Sequence, residues 1–297
     1  MSVLPQRIAI TGASGLIGSA LVGHLKSEGH TVQRLVRRLP VSSDEIQWDP
    51  TTGYVDTDAL AGVDAVIHLA GVGVGDKRWN KKYKAQILNS RLLGTEAIAK
   101  AVAQVQPQVF ISASAIGWYG ESGNRGVTEA DRAGDDFLAA VCREWEAAAD
   151  LATGVRTVKL RTGLVLDPTG GALGKMLPLF RFGLGGKLGS GKQWWSWITL
   201  HDVIRAISFA LEKPISGPIN VVSPNPVTNQ EFTSALARAM HRPAVFPAPA
   251  IALKIALGGF SSEVLGSKKV IPQKLIDEGF TWDYPHVTSA LVALIEN

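Results

Sequence analysis

Thr11-Gly12-Ala13-Ser14-Gly15-Leu16-Ile17-Gly18 decides the fold of this chain. It follows the apolar run Ile8-Ala9-Ile10. It leads into Leu16, Ile17, Ala20, Leu21 and Leu25, which recur at helical spacing until Gly29 ends the pattern. A strand, a glycine-rich turn and an amphipathic helix in that order open a βαβ unit. Gly12 permits the tight turn, Gly15 lets the backbone approach a pyrophosphate, and Gly18 lets the helix pack closely on the strand. Unpaired amides and the positive dipole end at the helix start then favour phosphate. The gap between the first two glycines is wider than in the G-x-G-x-x-G fingerprint.

Beyond this turn, strand and helix patterns keep alternating. Thr31 to Val36 and Glu45 to Trp48 read as strands, and Ala65-Val66-Ile67-His68-Leu69-Ala70 as a strand buried on both faces. A helix is expected over 83–105, a strand at Val109-Phe110-Ile111-Ser112, a helix over 136–151 and another strand within 155–166. This alternation predicts an α/β fold with a parallel sheet covered by helices on both sides. After residue 167, Gly170-Gly171, Gly185-Gly186, Gly189 and Gly191 read as loops. A helix over 201–213 and a strand over 219–222 follow. Thr228-Asn229-Gln230-Glu231 is a capping box, and Pro243, Pro247 and Pro249 link to a last apolar helical segment. The expected division is a nucleotide-binding domain over 1–166, completed by later strands, and a smaller mixed substrate lobe over 167–297.

Composition narrows the class. Of 297 residues, 46% are hydrophobic and 19% charged, which fills a core and excludes global disorder. The net charge of +4 is spread in short pairs such as Arg37-Arg38, Lys81-Lys82 and Lys268-Lys269, not in the stripe of a nucleic-acid binder. Cys142 is the only cysteine, so an intrachain disulfide framework and a cysteine metal cluster are excluded and a reducing compartment fits. The six histidines are dispersed, and no metal site is expected. The apolar stretch from Ala248 to Phe260 is broken by Lys254 and too short for a bilayer. The first strand begins almost at the N-terminus with no secretory pattern before it, so a cytoplasmic location is expected.

The end of the second strand bears on which dinucleotide fits. An NAD site places a carboxylate there for the ribose diol. This chain has Gln33-Arg34-Leu35-Val36-Arg37-Arg38, with no carboxylate between Glu28 and Asp44. Arg37 and Arg38 can pair with a 2′-phosphate, which favours NADP, as NADPH over NADH.

Thr11-Gly12-x-x-Gly15-x-x-Gly18, with Asp64-Ala65-Val66-Ile67-His68-Leu69-Ala70-Gly71, resembles the extended short-chain dehydrogenase/reductase superfamily. Ile111-Ser112-Ala113-Ser114, followed by Trp118-Tyr119-Gly120, resembles its active-site serine segment, and Arg161-Thr162-Gly163-Leu164-Val165-Leu166 the strand that passes the nicotinamide. Gly185-Gly186-Lys187-Leu188-Gly189-Ser190-Gly191, Gln193-Trp194-Trp195-Ser196-Trp197-Ile198 and Val270-Ile271-Pro272-x-Lys274-Leu275 narrow it to an atypical, YfcH-like epimerase-family subgroup, over essentially the whole chain. The resemblance implies a Rossmann-type doubly wound parallel sheet, NADP(H) binding and a C-terminal substrate lobe. It implies that Gly12, Ser14, Gly15, Leu16, Ile17 and Gly18 line the pyrophosphate and that Trp48 and Asp49 sit near the adenine. It further places Leu69, Ala70 and Gly71 under the nicotinamide-side ribose, Arg161 and Gly163 on the strand along the nicotinamide, and Ser112 among the cofactor contacts. Ser114 aligns with the catalytic Ser or Thr. Family members often form a homodimer through the two long helices.

The superfamily's Tyr-x-x-x-Lys pair is missing. On the helix Phe137 to Glu146, Cys142 stands at the Tyr position and Glu146 at the Lys position, on one helix face. A carboxylate raises a neighbouring thiol's pKa and offers no cation. Tyr119 as the acid, Cys142 as the acid with Glu146 as relay, or a silent site are the readings left open. On the substrate side, Arg78, Trp79, Lys175, Trp194 and Trp197 are candidate contacts for a small-molecule, anionic substrate with a ring or isoprenoid-like body. Three functions follow: an NADP(H)-dependent oxidoreductase or epimerase-like enzyme, a non-catalytic NADPH-binding regulator or scaffold, or a nucleotide-sugar epimerase of the usual mechanism, which the missing pair weakens.

Overall fold

A computed structural model describes residues 5–296. The first half runs β1 (Arg7–Thr11), α1 (Leu16–Ser27), β2 (Thr31–Val36), β3 (Glu45–Asp49), β4 (Tyr54–Val55), α2 (Thr57–Leu60), β5 (Ala65–His68), α3 (Lys81–Val105), β6 (Val109–Ala115) and a 3-10 turn over Ile116–Tyr119. It continues with β7 (Gly126–Val127), α4 (Phe137–Ala149), β8 (Arg156–Thr162), β9 (Leu164–Asp167) and α5 (Gly171–Arg181). Then come β10 (Trp194–Trp195), β11 (Trp197–Thr199), α6 (Leu200–Glu212), β12 (Gly217–Val221), β13 (Val227–Thr228) and α7 (Asn229–Ala239). The chain finishes with α8 (Ala250–Leu257), α9 (Ser261–Leu265), β14 (Lys269–Val270), α10 (Gln273–Asp277) and α11 (Val287–Glu296).

The main sheet has eight strands in the order β12-β8-β6-β5-β1-β2-β3-β4. All neighbours are parallel except β3 and β4. The order reverses at β1 and β5, the switch point where doubly wound sheets bind ligands. Alternation along the strands explains the near-continuous apolar runs. Ile8, Ile10 and Ile67 face one core with Leu21 and Leu25 of α1 and Val203 and Ile207 of α6. Ala9 and Val66 face the other, with Ile98 and Val102 of α3.

The strand expected within 155–166 is β8, and a second strand, β9, follows it because the chain leaves the sheet at Gly163. A Cβ there would lie 2.6 Å from the Ser196 carbonyl oxygen and from Val222, so only glycine passes. Beyond it β9 pairs with β11 in a separate ladder. One reading is corrected: Gly170 and Gly171, expected in a loop, open α5, whose Leu173, Leu177 and Phe180 join Trp197, Phe232 of α7 and Leu291 of α11 in the lobe's core. β12 and α6, from beyond residue 167, belong to the main sheet and its cover.

Candidate functional site

The glycine-rich turn is built by exclusion. Gly12 has φ +69°, and a Cβ on it would stand 2.8 Å from the Leu69 carbonyl carbon. A Cβ on Gly18 would fall 2.1 Å from the Gly12 carbonyl oxygen, so α1 rests directly on the turn. Gly15 is the N-cap with no side-chain cap, and the first turn of α1 has no acidic residue. The first helical bond runs from the Ser19 amide to the Gly15 carbonyl, leaving the amides of Leu16, Ile17 and Gly18 without intrahelical acceptors. Ser14 and Gly15 are exposed. This cradle fits a dinucleotide pyrophosphate. Leu16 also packs towards Gly170 and Gly171, so α5 starts beside the cradle.

At the end of β2, the two arginines differ. Arg38 makes a bidentate pair with Glu45 at 2.7 and 2.6 Å, and Arg34 joins the same carboxylate at 3.2 Å. Glu45 is thereby withdrawn from a ribose diol, but Arg38 is partly spent. Arg37 is exposed and its side chain makes no bond among the described residues. Trp48 is buried edge-on against His68 at 5.9 Å, and the Asp49 carboxylate caps the turn at Thr51.

Thr11 ties β1 to β5. Its hydroxyl accepts from the amides of Leu69 and Ala70 at 3.1 and 3.3 Å, so it donates to Nδ1 of His68 at 2.7 Å. The fully buried His68 then carries its proton on Nε2, which has no partner among the described residues. Burial pushes its pKa down from 6.5 to about 3. Between those values the unfolded chain binds a proton that the folded chain refuses. Stability from this group is full above 6.5 and is lost as pH falls towards 3, by about 1.4 kcal/mol per pH unit. Denaturant unfolding of His68→Asn is expected to show a shallower loss of stability between about pH 6 and pH 4 than the wild type. Equal slopes would contradict the buried neutral ring.

The polar residues at the other end of the sheet form one row. Ser114, Arg161 and Asn220 are register partners across β6, β8 and β12, each one residue short of its strand's carboxyl end. Glu146 of α4 and Tyr119 of the 3-10 turn close over them. Ser114 donates to Glu146 Oε1 at 2.7 Å. Arg161 grips both oxygens of Glu146, at 2.8 and 2.9 Å, and donates to the Tyr119 hydroxyl at 3.0 Å. Tyr119 donates to Asn220 at 2.7 Å, whose amide reaches the Ile271 carbonyl. Trp118 lies 3.9 Å from the guanidinium. Ser114, Tyr119, Glu146 and Arg161 are each at most 5% exposed. The negative charge at the missing lysine position is therefore neutralised inside the protein.

This network fixes the bonds that several of the expected residues make. Arg161 spends its guanidinium on Glu146 and Tyr119, as an internal counter-ion. Tyr119 is locked at its oxygen, and burial pushes its pKa up to about 12 despite Arg161. Cys142 turns its thiol to the Ala115 carbonyl at 3.6 Å. Burial first, then the Glu146 charge, push that thiol up to about 12, making it a poor acid. Ser112 is 1% exposed and points its hydroxyl at the Ala113 carbonyl. Gly163 is accounted for by the packing of Ser196 and Val222. Sequence reasoning missed Asn220 and the pairing of Glu146 with Arg161; two opposite charges in apolar segments were the signal.

The substrate candidates separate. Trp197 is fully buried in the lobe's core with its indole N–H on the Asn225 carbonyl. Trp79 is also core: its indole binds the Val74 carbonyl at 2.7 Å, and Phe137 and Phe260 pack on its ring. Arg78 is exposed beside Gly258. Lys175 is exposed and donates to the Gly75 carbonyl at 3.1 Å, tying α5 to the loop after β5. Trp194 is half-buried, with Asn124 on its indole nitrogen and Lys269 over its ring at 4.2 Å. Leu69, Ala70 and Gly71 line the start of that β5 loop, and Gly71 is exposed. No helix among the described residues is long and apolar enough to cross a membrane.

Comparison with known proteins gives a consistent picture. The sequence matches the NAD dependent epimerase/dehydratase family over residues 8–223 and a domain of unknown function, DUF1731, over residues 248–294. It is 46% identical over 288 residues to the epimerase family protein Mb2239 of Mycobacterium bovis, spanning 96% of each chain. The crystal structure of human epimerase family protein SDR39U1 with NADPH superposes with a TM-score of 0.91 at 33% identity, over 98% of this chain and 99% of that one. The UDP-glucose 4-epimerase of Thermus thermophilus, solved with NAD, gives a TM-score of 0.72 at 20% identity over 98% and 99% of the two chains, a likeness of fold alone.

Proposed function

The chain belongs to the NAD dependent epimerase/dehydratase family, and on that premise we propose that it is an NADP(H)-binding oxidoreductase or epimerase-like enzyme whose acid–base device is Ser114 backed by Glu146. NADP(H) is favoured by the free Arg37, by the withdrawal of Glu45 into its pair with Arg38, and by the NADPH in the human relative. The Leu16, Ile17 and Gly18 amides would hold the pyrophosphate, and Arg37 a 2′-phosphate. When bound, the nicotinamide supplies a hydride donor or acceptor.

One observation carries the chemistry: the Ser114 hydroxyl hydrogen is already given to Glu146 at 2.7 Å. Ser114 Oγ therefore offers lone pairs, and the group that suits it is a substrate hydroxyl that donates. As that alcohol is oxidised, its proton passes to Ser114 Oγ while the serine proton passes to Glu146 Oε1. Arg161 fixes the carboxylate throughout. In the reverse direction the same protons return to the nascent alcohol. Tyr119 and Asn220 hold Arg161 in place and stay outside the transfer.

Hydride exchange between NADP(H) and a panel of small alcohols, carbonyl compounds and sugar nucleotides tests this. Ser114→Ala and Glu146→Gln are expected to lower turnover about 100- to 10,000-fold while NADPH affinity stays unchanged. A second reading, an NADPH-binding regulator, draws on the burial of the network. It gains if NADPH binds and no member of the panel turns over.

A further inference from the structure

Thirteen large hydrophobic side chains are exposed among the described residues, and seven of them fall on two stretches of the lobe, 168–201 and 232–262. Those stretches hold seven lysines and arginines and no aspartate or glutamate. They also lie side by side. The Phe246 amide donates to the Gly185 carbonyl at 3.1 Å, and the Ala248 amide to the Lys187 carbonyl at 2.9 Å. A Cβ on Gly186 would sit 2.0 Å from the Phe246 carbonyl oxygen, so the two strips touch backbone to backbone.

A ridge of five apolar side chains stands where the strips meet. α5 ends in a Schellman turn: Gly183, at φ +70°, donates its amide to the Phe180 carbonyl, and the Leu184 amide donates to the Leu179 carbonyl, both at 2.9 Å. The turn folds Leu184 back towards Leu179 and leaves Phe182 outside, 80% exposed. Val245 and Phe246 follow across the Gly185 clamp, and all five side chains are more than half exposed. Arg181 and Arg242 border them in the chain, both exposed, and neither side chain makes an ion pair or hydrogen bond among the described residues. The strips then lead into α8, with the Gly189 amide on the Ala248 carbonyl at 2.8 Å. No residue of α8 is buried; Ile251 and Ile255 are exposed one turn apart, and Lys254 is its only charge.

We propose that this face docks the protein on an anionic phospholipid bilayer. Exposed apolar side chains gathered in one place mark an interaction surface, and the charge around them selects the occupant. Phe182, Leu184 and Phe246 enter the boundary between headgroups and acyl chains, while Arg181 and Arg242 meet lipid phosphates. A second copy fits less well, because pairing this face with itself gathers cations from both chains and no carboxylate from either strip. An acidic protein matches the charge, but these side chains stand out of the surface, which suits a fluid apolar layer better than a shaped partner. α5 starts beside the glycine-rich turn, so the ridge stands one helix length, about 16 Å, from the cofactor cradle.

The test is co-sedimentation of the full chain, with NADPH present, on phosphatidylcholine vesicles containing about 30% phosphatidylglycerol. Half-binding at on the order of 1 mM lipid is expected, and pure phosphatidylcholine vesicles should bind at least about tenfold more weakly. Phe182→Ser with Phe246→Ser, and Arg181→Glu with Arg242→Glu, should each weaken binding to the anionic vesicles at least about tenfold, with the thermal midpoint unchanged. No association with the anionic vesicles would overturn the proposal, as would equal binding to the two vesicle types or undiminished binding by the doubly substituted phenylalanine variant. A wild-type dimer that this variant turns into a monomer, with no vesicle binding, would give the face to a second copy. Soluble poly-glutamate bound as tightly as the anionic vesicles would give it to an acidic protein. Either of those results also overturns the proposal.

Discussion

Arg161→Met is expected to destabilise the protein by about 3–5 kcal/mol, because it leaves the Glu146 carboxylate buried without its counter-ion. The pair is well sealed, with side-chain exposures of 3% for Arg161 and 6% for Glu146, so water cannot take over the lost interaction. The variant also frees the Tyr119 hydroxyl from its donor and removes the cation beneath Trp118. In thermal unfolding the loss should appear as a fall of roughly 10 °C. The effect belongs to the unpaired charge and not to arginine as such. Replacing both partners, Arg161→Met with Glu146→Leu, is therefore expected to recover most of the stability, since a buried ion pair contributes little against an apolar pair of similar volume. A single variant as stable as the wild type would contradict the buried pairing.

The second large effect is expected at Gly18. A Cβ at this position would stand 2.1 Å from the Gly12 carbonyl oxygen and 2.9 Å from Ala13 Cα, both backbone. Nothing flexible can yield, so Gly18→Ala must push α1 off the turn and displace the Leu16 and Ile17 amides that would hold a pyrophosphate. NADPH affinity is expected to fall at least about 100-fold, the equivalent of about 3 kcal/mol. Stability should fall by about 1–3 kcal/mol. Gly23, in the same helix, is the control. Its Cβ would meet nothing within 4 Å, so Gly23→Ala should keep NADPH affinity and gain up to about 1 kcal/mol. Wild-type NADPH binding by Gly18→Ala would remove the close approach of helix and turn from the account.

These two sites show what a sequence discloses. The turn at Gly12, Gly15 and Gly18 is legible because its physics is local: a positive φ, a close approach and a helix start follow each other within one segment. The parallel sheet is legible for a related reason, since strands buried on both faces write continuous apolar runs such as Ala65 to His68. The Ser114, Arg161 and Asn220 row is not legible, because it exists only once β6, β8 and β12 are in register. The spacing of Cys142 and Glu146 correctly put them on one face of α4, yet said nothing of the arginine arriving from β8 to cancel the charge. The tryptophans show the same limit. Trp194 and Trp197 are three positions apart, but one is half-buried beside Asn124 and the other is enclosed by the α7 and α11 packing. Likewise Arg37 and Arg38 are equivalent on paper until β3 brings Glu45 to one of them.

The proposed proton transfer runs through Ser114 to Glu146 in a family member that lacks the usual tyrosine and lysine. The most direct measurement is turnover by the Ser114→Ala holoenzyme on the first alcohol or carbonyl compound that the wild type converts with NADP(H), with NADPH affinity measured on the same sample. Wild-type NADPH affinity together with turnover reduced at least about 100-fold is expected. Wild-type turnover by Ser114→Ala would contradict it.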